Sequence, residues 1–167
     1  GYCLQGLAEE CALLRAVAEA ARLAELKAPM TWLPHPAAAL LPEAEREFLW
    51  TLAESLGFAV APSGQGFREL AARSRWVVSS ESTVVIELMA DGQLPVMWPS
   101  PWGDPGAALA RYPLRACSAA ALSQALLSDD ASLRAGHARA WEALRPGLSP
   151  SEALRRSATL GPSQGAP

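Results

Sequence analysis

Apolar residues recur at helical spacing over 7–27, at Leu7, Cys11, Leu14, Ala18 and Ala21, with Glu9, Glu10, Arg15 and Glu19 mostly on other faces. This predicts an amphipathic helix ended by Pro29. The run Met30-Thr31-Trp32-Leu33 then reads as a short buried strand that stops at Pro34-His35-Pro36. The cycle repeats. Pro42 opens a helical segment through Leu56, Gly57 stops it, and Phe58-Ala59-Val60-Ala61 follows as a strand. After the flexible loop Pro62-Ser63-Gly64-Gln65-Gly66, a short helix over 67–74 leads to the strand Arg75-Trp76-Val77-Val78-Ser79.

Val84-Val85-Ile86 is ambiguous, because a β-branched run favours a strand and would make a hairpin of 76–88. Preceding serines suited to capping and Gly92 at the stop position favour a helix over 83–91, followed by the strand Leu94-Pro95-Val96-Met97-Trp98. A loop rich in Pro and Gly comes next, then helices over 119–127 and 131–144. From Pro146 onward Pro, Gly and Ser accumulate, with one turn of helix suggested over 152–156; residues 147–167 are expected to be a flexible tail. Short strands alternating with helices argue for βαβ units, so the fold class expected for 1–146 is α/β: one Rossmann-like domain, a parallel sheet flanked by helices.

Composition adds limits. The 167 residues suffice for one core, and a net charge of -3 leaves no basic field for nucleic acid. No apolar stretch approaches the length of a membrane span, and no basic membrane-surface helix is evident. Cys3, Cys11 and Cys117 are few, odd in number and widely spaced, which suggests neither a disulfide framework nor a metal site and fits a reducing cytoplasm. A chain that begins at Gly1 directly before a helix, without a targeting pattern, reads as a fragment.

In an open parallel sheet, ligands bind outside the carboxyl ends of the strands. The polar features fall at such ends: His35 after the first strand, the glycine loop after the second, and Ser79-Ser80-Glu81-Ser82-Thr83 after the third. Hydroxyls at a helix start suit a phosphate, because unpaired backbone N–H groups and the helix dipole both favour an anion. Each feature also has a plain structural explanation. His35 serves a loop, the serines serve as caps, Glu69 and Glu87 lie on solvated helix faces, and Gly64 and Gly66 serve a turn without a complete dinucleotide fingerprint.

Their order makes the difference. A strand followed by His35-Pro36, then Phe67-Arg68-Glu69-Leu70, then a strand followed by the serine run resembles the C-terminal domain of bacterial sialyltransferases and related capsule-polymer transferases, which share a His-Pro motif and a Ser-Ser or Ser-Thr motif on a GT-B fold. Leu4-Gln5-Gly6 through Leu14 looks like the stretch that opens that domain, and the resemblance spans roughly 4–144. It implies one half of a GT-B fold that binds a nucleotide-sugar donor, a CMP-activated acidic sugar such as sialic acid or a Kdo-like sugar, without a separate cofactor or metal. His35 and Pro36 would meet the donor phosphate, with Ser79, Ser80, Ser82 and Thr83 around it. Glu69 would hold the ribose hydroxyls, with Glu87 the competing ligand.

The chain departs from the pattern twice. Leu33-Pro34 stands where capsule-family members often carry Lys before His-Pro, and the Asp/Glu-Asp/Glu-Gly motif that supplies the base of sialyltransferases is absent. Ala90-Asp91-Gly92 does not replace it, since Gly92 is accounted for as a helix stop. No catalytic residue is therefore assigned. The base is expected in a missing N-terminal acceptor domain, and this chain alone is expected to bind donor without transferring sugar. The cytoplasm, with a peripheral position at the inner membrane face, is the expected location. Two alternatives stand beside this: a CDP-glycerol-type or other nucleotide-sugar transferase domain on the same fold, and a non-catalytic Rossmann-like module that binds protein through its apolar surface, Trp98 and Trp102 included.

Overall fold

A computed structural model of the chain describes residues 3–62, 64–80, 83–93, 95–99 and 115–144; the expected tail over 147–167 lies outside them. Helix α1 (Cys3–Leu23) leads to β1 (Met30–Trp32), a 3-10 helix (Pro36–Leu40), α2 (Glu43–Ser55), β2 (Phe58–Val60) and α3 (Phe67–Ala72). Then come β3 (Val77–Ser80), α4 (Thr83–Ala90), β4 (Pro95–Trp98), α5 (Ala119–Leu127) and α6 (Asp130–Leu144). The fold is α/β. β1 pairs in parallel with β2, β3 pairs in parallel with β4, and a parallel bridge from Met97 to Arg115 adds a position beside β4. Among the described residues no ladder joins the two pairs, so the single sheet expected from the sequence is here two short sheets flanked by helices. No described helix is long and apolar enough to cross a membrane.

What ties the two pairs together is α1. Cys11 and Leu14 pack with Trp32, Leu49, Ala53 and Phe58, on the side of β1, β2 and α2. Ala20 packs with Val96, Ala116, Leu122 and Leu126, on the side of β3, β4 and α5. Val17 touches both clusters. The apolar stripe expected from Leu7 to Ala21 covers only the first of these faces. Ala16, Ala20 and Ala24, one turn apart and all buried, form a second. Small side chains at that spacing let a neighbouring helix approach closely, and α5 packs along α1.

The helix ends before the proline that was expected to stop it. Glu25 adopts a left-handed backbone with φ 52°, and the N–H groups of Glu25 and Leu26 reach back to the carbonyls of Arg22 and Ala21 at 3.1 and 2.9 Å. This is a Schellman ending, made with a residue that has a Cβ. At the end of α4, Gly92 occupies the same position at φ 77°, with Gln93 N–H bonded to the Leu88 carbonyl at 2.9 Å. The β-branched run in α4 is helical because Val85, Leu88 and Met89 are buried on the side that packs against β4, and burial outweighs a modest propensity penalty. Strand β3 begins two residues later than expected and runs through Ser80, since its ladder matches all four residues of β4.

Helix α6 is docked through a buried histidine. His137 lies 8% exposed, with Nε2 3.5 Å from the Pro95 carbonyl at the start of β4. Burial holds its pKa below the ordinary value of 6.5, opposed by the Pro95 carbonyl and reinforced by the nearby charge of Arg134.

Two outcomes follow. Replacing Glu25 by Gly relieves roughly 1–2 kcal/mol of left-handed strain and gives back about 0.4–1 kcal/mol as unfolded-state entropy. A net gain of about 0.5–1 kcal/mol in denaturant melts is therefore expected for Glu25→Gly. For His137, the unfolded chain takes up a proton near pH 6.5 while the folded one resists it until lower pH. The stability that this residue contributes is thus present above pH 6.5 and lost as pH falls below it. Denaturant melts from pH 7.5 to 5.5 should show that loss, and His137→Gln should flatten it.

Candidate functional site

His35 lies just past β1 and is exposed. It caps the 3-10 helix: its Nδ1 accepts from the Ala37 N–H at 3.1 Å, and Pro36 fills the first helical position, where no N–H is needed. Because Nδ1 accepts, the neutral ring carries its proton on Nε2.

β1 is itself anchored from below. The Trp32 indole N–H donates to Glu10 Oε1 at 2.8 Å, and the ring meets Trp50 edge to face, with centroids 4.9 Å apart and planes at 72°. A buried indole with its N–H satisfied and its ring packed in the core of α1, α2 and β2 fixes the strand that leads to His35. No sequence signal marked Glu10 for this task, since one glutamate on a helix face looks like another until the fold brings a partner to it.

Ser79 and Ser80 do not follow β3; they are its last two residues, half-buried, in register with Met97 and Trp98. Their backbones belong to the sheet, and what they offer to a ligand is their hydroxyls. Thr83 opens α4, and Ser82 lies outside the described residues. Trp98 packs against the cluster of α1 and α5, which leaves it half-buried, and Trp102 is outside the described residues.

Both candidate ribose ligands are engaged by arginines. Glu69 pairs with Arg73 one turn along α3 at 3.0 Å. Glu87 pairs with Arg68 at 3.3 Å, and the same guanidinium reaches Asp91 through Nε at 3.1 Å while lying 5.8 Å from the centroid of Phe67. Arg68 thereby ties the start of α3 to the end of α4. Such exposed pairs contribute little stability each, so a diol that approached either glutamate would face a weak competitor. In the glycine loop, a Cβ on Gly64 or Gly66 would meet nothing within 4 Å, so neither glycine is required for a close approach; only Gly64, at φ 85°, needs its freedom. Among the described residues, no group of three His, Cys, Asp or Glu is arranged to hold a metal.

No family model matches this chain, and no significant match was found among curated proteins or solved structures.

The Trp32 anchor can be measured. Removing the indole donor with Trp32→Phe is expected to cost at least about 1.5 kcal/mol, the scale of a hydrogen bond to a charged group. In a Glu10→Ala background the same change should cost less, and a double-mutant cycle by denaturant melts reads the difference. A coupling energy of zero contradicts the tether.

Proposed function

We propose that this chain is the donor-binding half of a GT-B glycosyltransferase, with a Rossmann-like arrangement, that takes a cytidine nucleotide carrying an acidic sugar. One coincidence of position supports the reading. The two motifs that carry the resemblance, His35-Pro36 and Ser79-Ser80, stand at the carboxyl ends of parallel strands in an α/β fold, where such folds bind ligands. Thr83 then opens α4, and the dipole at a helix start favours an anion there.

On this reading the donor half binds and neutralises the leaving phosphate, through the Ser79, Ser80 and Ser82 hydroxyls and the His35 ring. Glu69 or Glu87 accepts hydrogen bonds from the ribose after exchanging an arginine for a hydroxyl pair. A carboxylate from an acceptor-binding half removes the proton of the attacking hydroxyl. Alone, this chain binds donor and transfers nothing.

A second reading, a module that docks another protein, is favoured by the exposed apolar residues Leu40 and Phe48, at 85% and 52%.

One experiment separates the two. CMP should raise the melting temperature more than UMP or AMP does, by an amount corresponding to ~2.7 kcal/mol at a hundredfold excess over the dissociation constant. Ser80→Ala combined with Ser82→Ala should weaken CMP binding by roughly 1.5–3 kcal/mol for each charge-assisted hydrogen bond lost. Stability lowered by ~1 kcal/mol at unchanged CMP affinity leaves the serines a structural role alone. No nucleotide binding at all favours the docking module.

A further inference from the structure

The sheet sets three residues side by side in one row: Ser79 of β3, Met97 of β4 and Arg115 in the bridge beside it. The Ala116 N–H donates to the Met97 carbonyl at 2.9 Å and secures the third position by backbone alone. Alternation along each segment decides which way the row faces. Val78, Val96 and Ala116 turn into the cluster of α1 and α5, with Trp98 beside them. The residues that alternate with these, Ser79, Met97 and Arg115, therefore take the opposite face, where α4 packs against β4.

Met97 in the middle of the row is fully buried, and Ser79 and Arg115 flank it half-buried. Parallel strands covered on both faces are ordinarily apolar throughout, which makes a serine and an arginine in one row a departure from what the fold asks for. An arginine keeps its charge at every physiological pH and presents its donors as a planar fork suited to phosphate. The row belongs to the carboxyl-end half of β3 and β4, and the backbones of Ser79 and Arg115 stand about 9.5 Å apart, two strand spacings.

We infer that Arg115 is a phosphate-binding residue: with Ser79 it grips an oxyanion at the carboxyl end of β3 and β4, from the side opposite to Ser80. This rests on the donor-binding reading and adds to it the cation that the His-Pro motif, with Leu33-Pro34 before it, does not supply. It also assigns the ligand chemistry of that face, a phosphate group, whether carried by a nucleotide or free.

Calorimetric titration of the wild type, Arg115→Gln and Arg115→Lys with CMP, inorganic phosphate and cytidine tests this. The expected result is a roughly ten- to hundredfold loss of affinity for CMP and phosphate in Arg115→Gln, from the loss of a charge-assisted hydrogen bond, with cytidine unaffected. A smaller loss is expected in Arg115→Lys, which keeps the charge and gives up the fork. CMP and phosphate affinities unchanged in Arg115→Gln overturn the inference and leave the donor reading standing. Binding of phosphate that depends on Arg115, with no preference for CMP, supports the anion site and removes the nucleotide. A wild type that binds neither CMP nor phosphate overturns both. Should Arg115→Gln fail to fold, Arg115→Lys decides: unchanged affinities there overturn the assignment, and a severalfold loss supports it.

Discussion

The first helix is buried on two sides at once, and most of the remaining structure depends on that. One face of α1, through Cys11 and Leu14, closes the core of β1, β2 and α2; another, through Ala20, closes the core of β3, β4 and α5. Strand pairs of three and four residues are too short to persist by their own hydrogen bonds, and a two-stranded pair needs a packed face to be stable. With no ladder between the two pairs among the described residues, the shared helix supplies the continuity that backbone bonding does not. A bulky residue in place of Ala20, which is 0% exposed, would push α5 away and open the second core without touching the first.

Helix α1 also holds the end of β1. Glu10 holds the Trp32 indole, Trp32 rests on Trp50, and the strand so fixed delivers the chain into the turn capped by His35. Opposite it, the β3–β4 register sets the level of Ser79, Ser80 and Arg115, and α4 returns over that face with Val85, Leu88 and Met89 buried. The polar residues of the candidate site thus stand on strand ends whose positions are set by apolar contacts elsewhere. Rigid support of this kind is what a binding constellation needs.

How much of the site could be read in advance depended on what kind of property each residue has. His35-Pro36 and Ser79-Ser80 were found because a polar residue at the end of an apolar run is a local signal. The bond from Trp32 to Glu10, the reach of Arg68 to Glu87 and Asp91, and the row that brings Arg115 level with Ser79 were not found, because each joins residues far apart in the chain.

The sequence by itself determined the order and kind of the elements. Periodicity, glycine stops and proline breaks predicted each strand and α-helix among the described residues, including the helix at Val84-Val85-Ile86, with ends displaced by a few residues. These are short-range properties, set by backbone sterics and by which face of a segment is apolar. Only the tertiary structure decided that α1 carries two buried faces, that it ends at a left-handed Glu25 before Pro29, that β3 runs through Ser80, and that the strands among the described residues pair two by two. Those outcomes depend on which surfaces meet, and a surface is chosen only when a partner distant in sequence arrives to bury it.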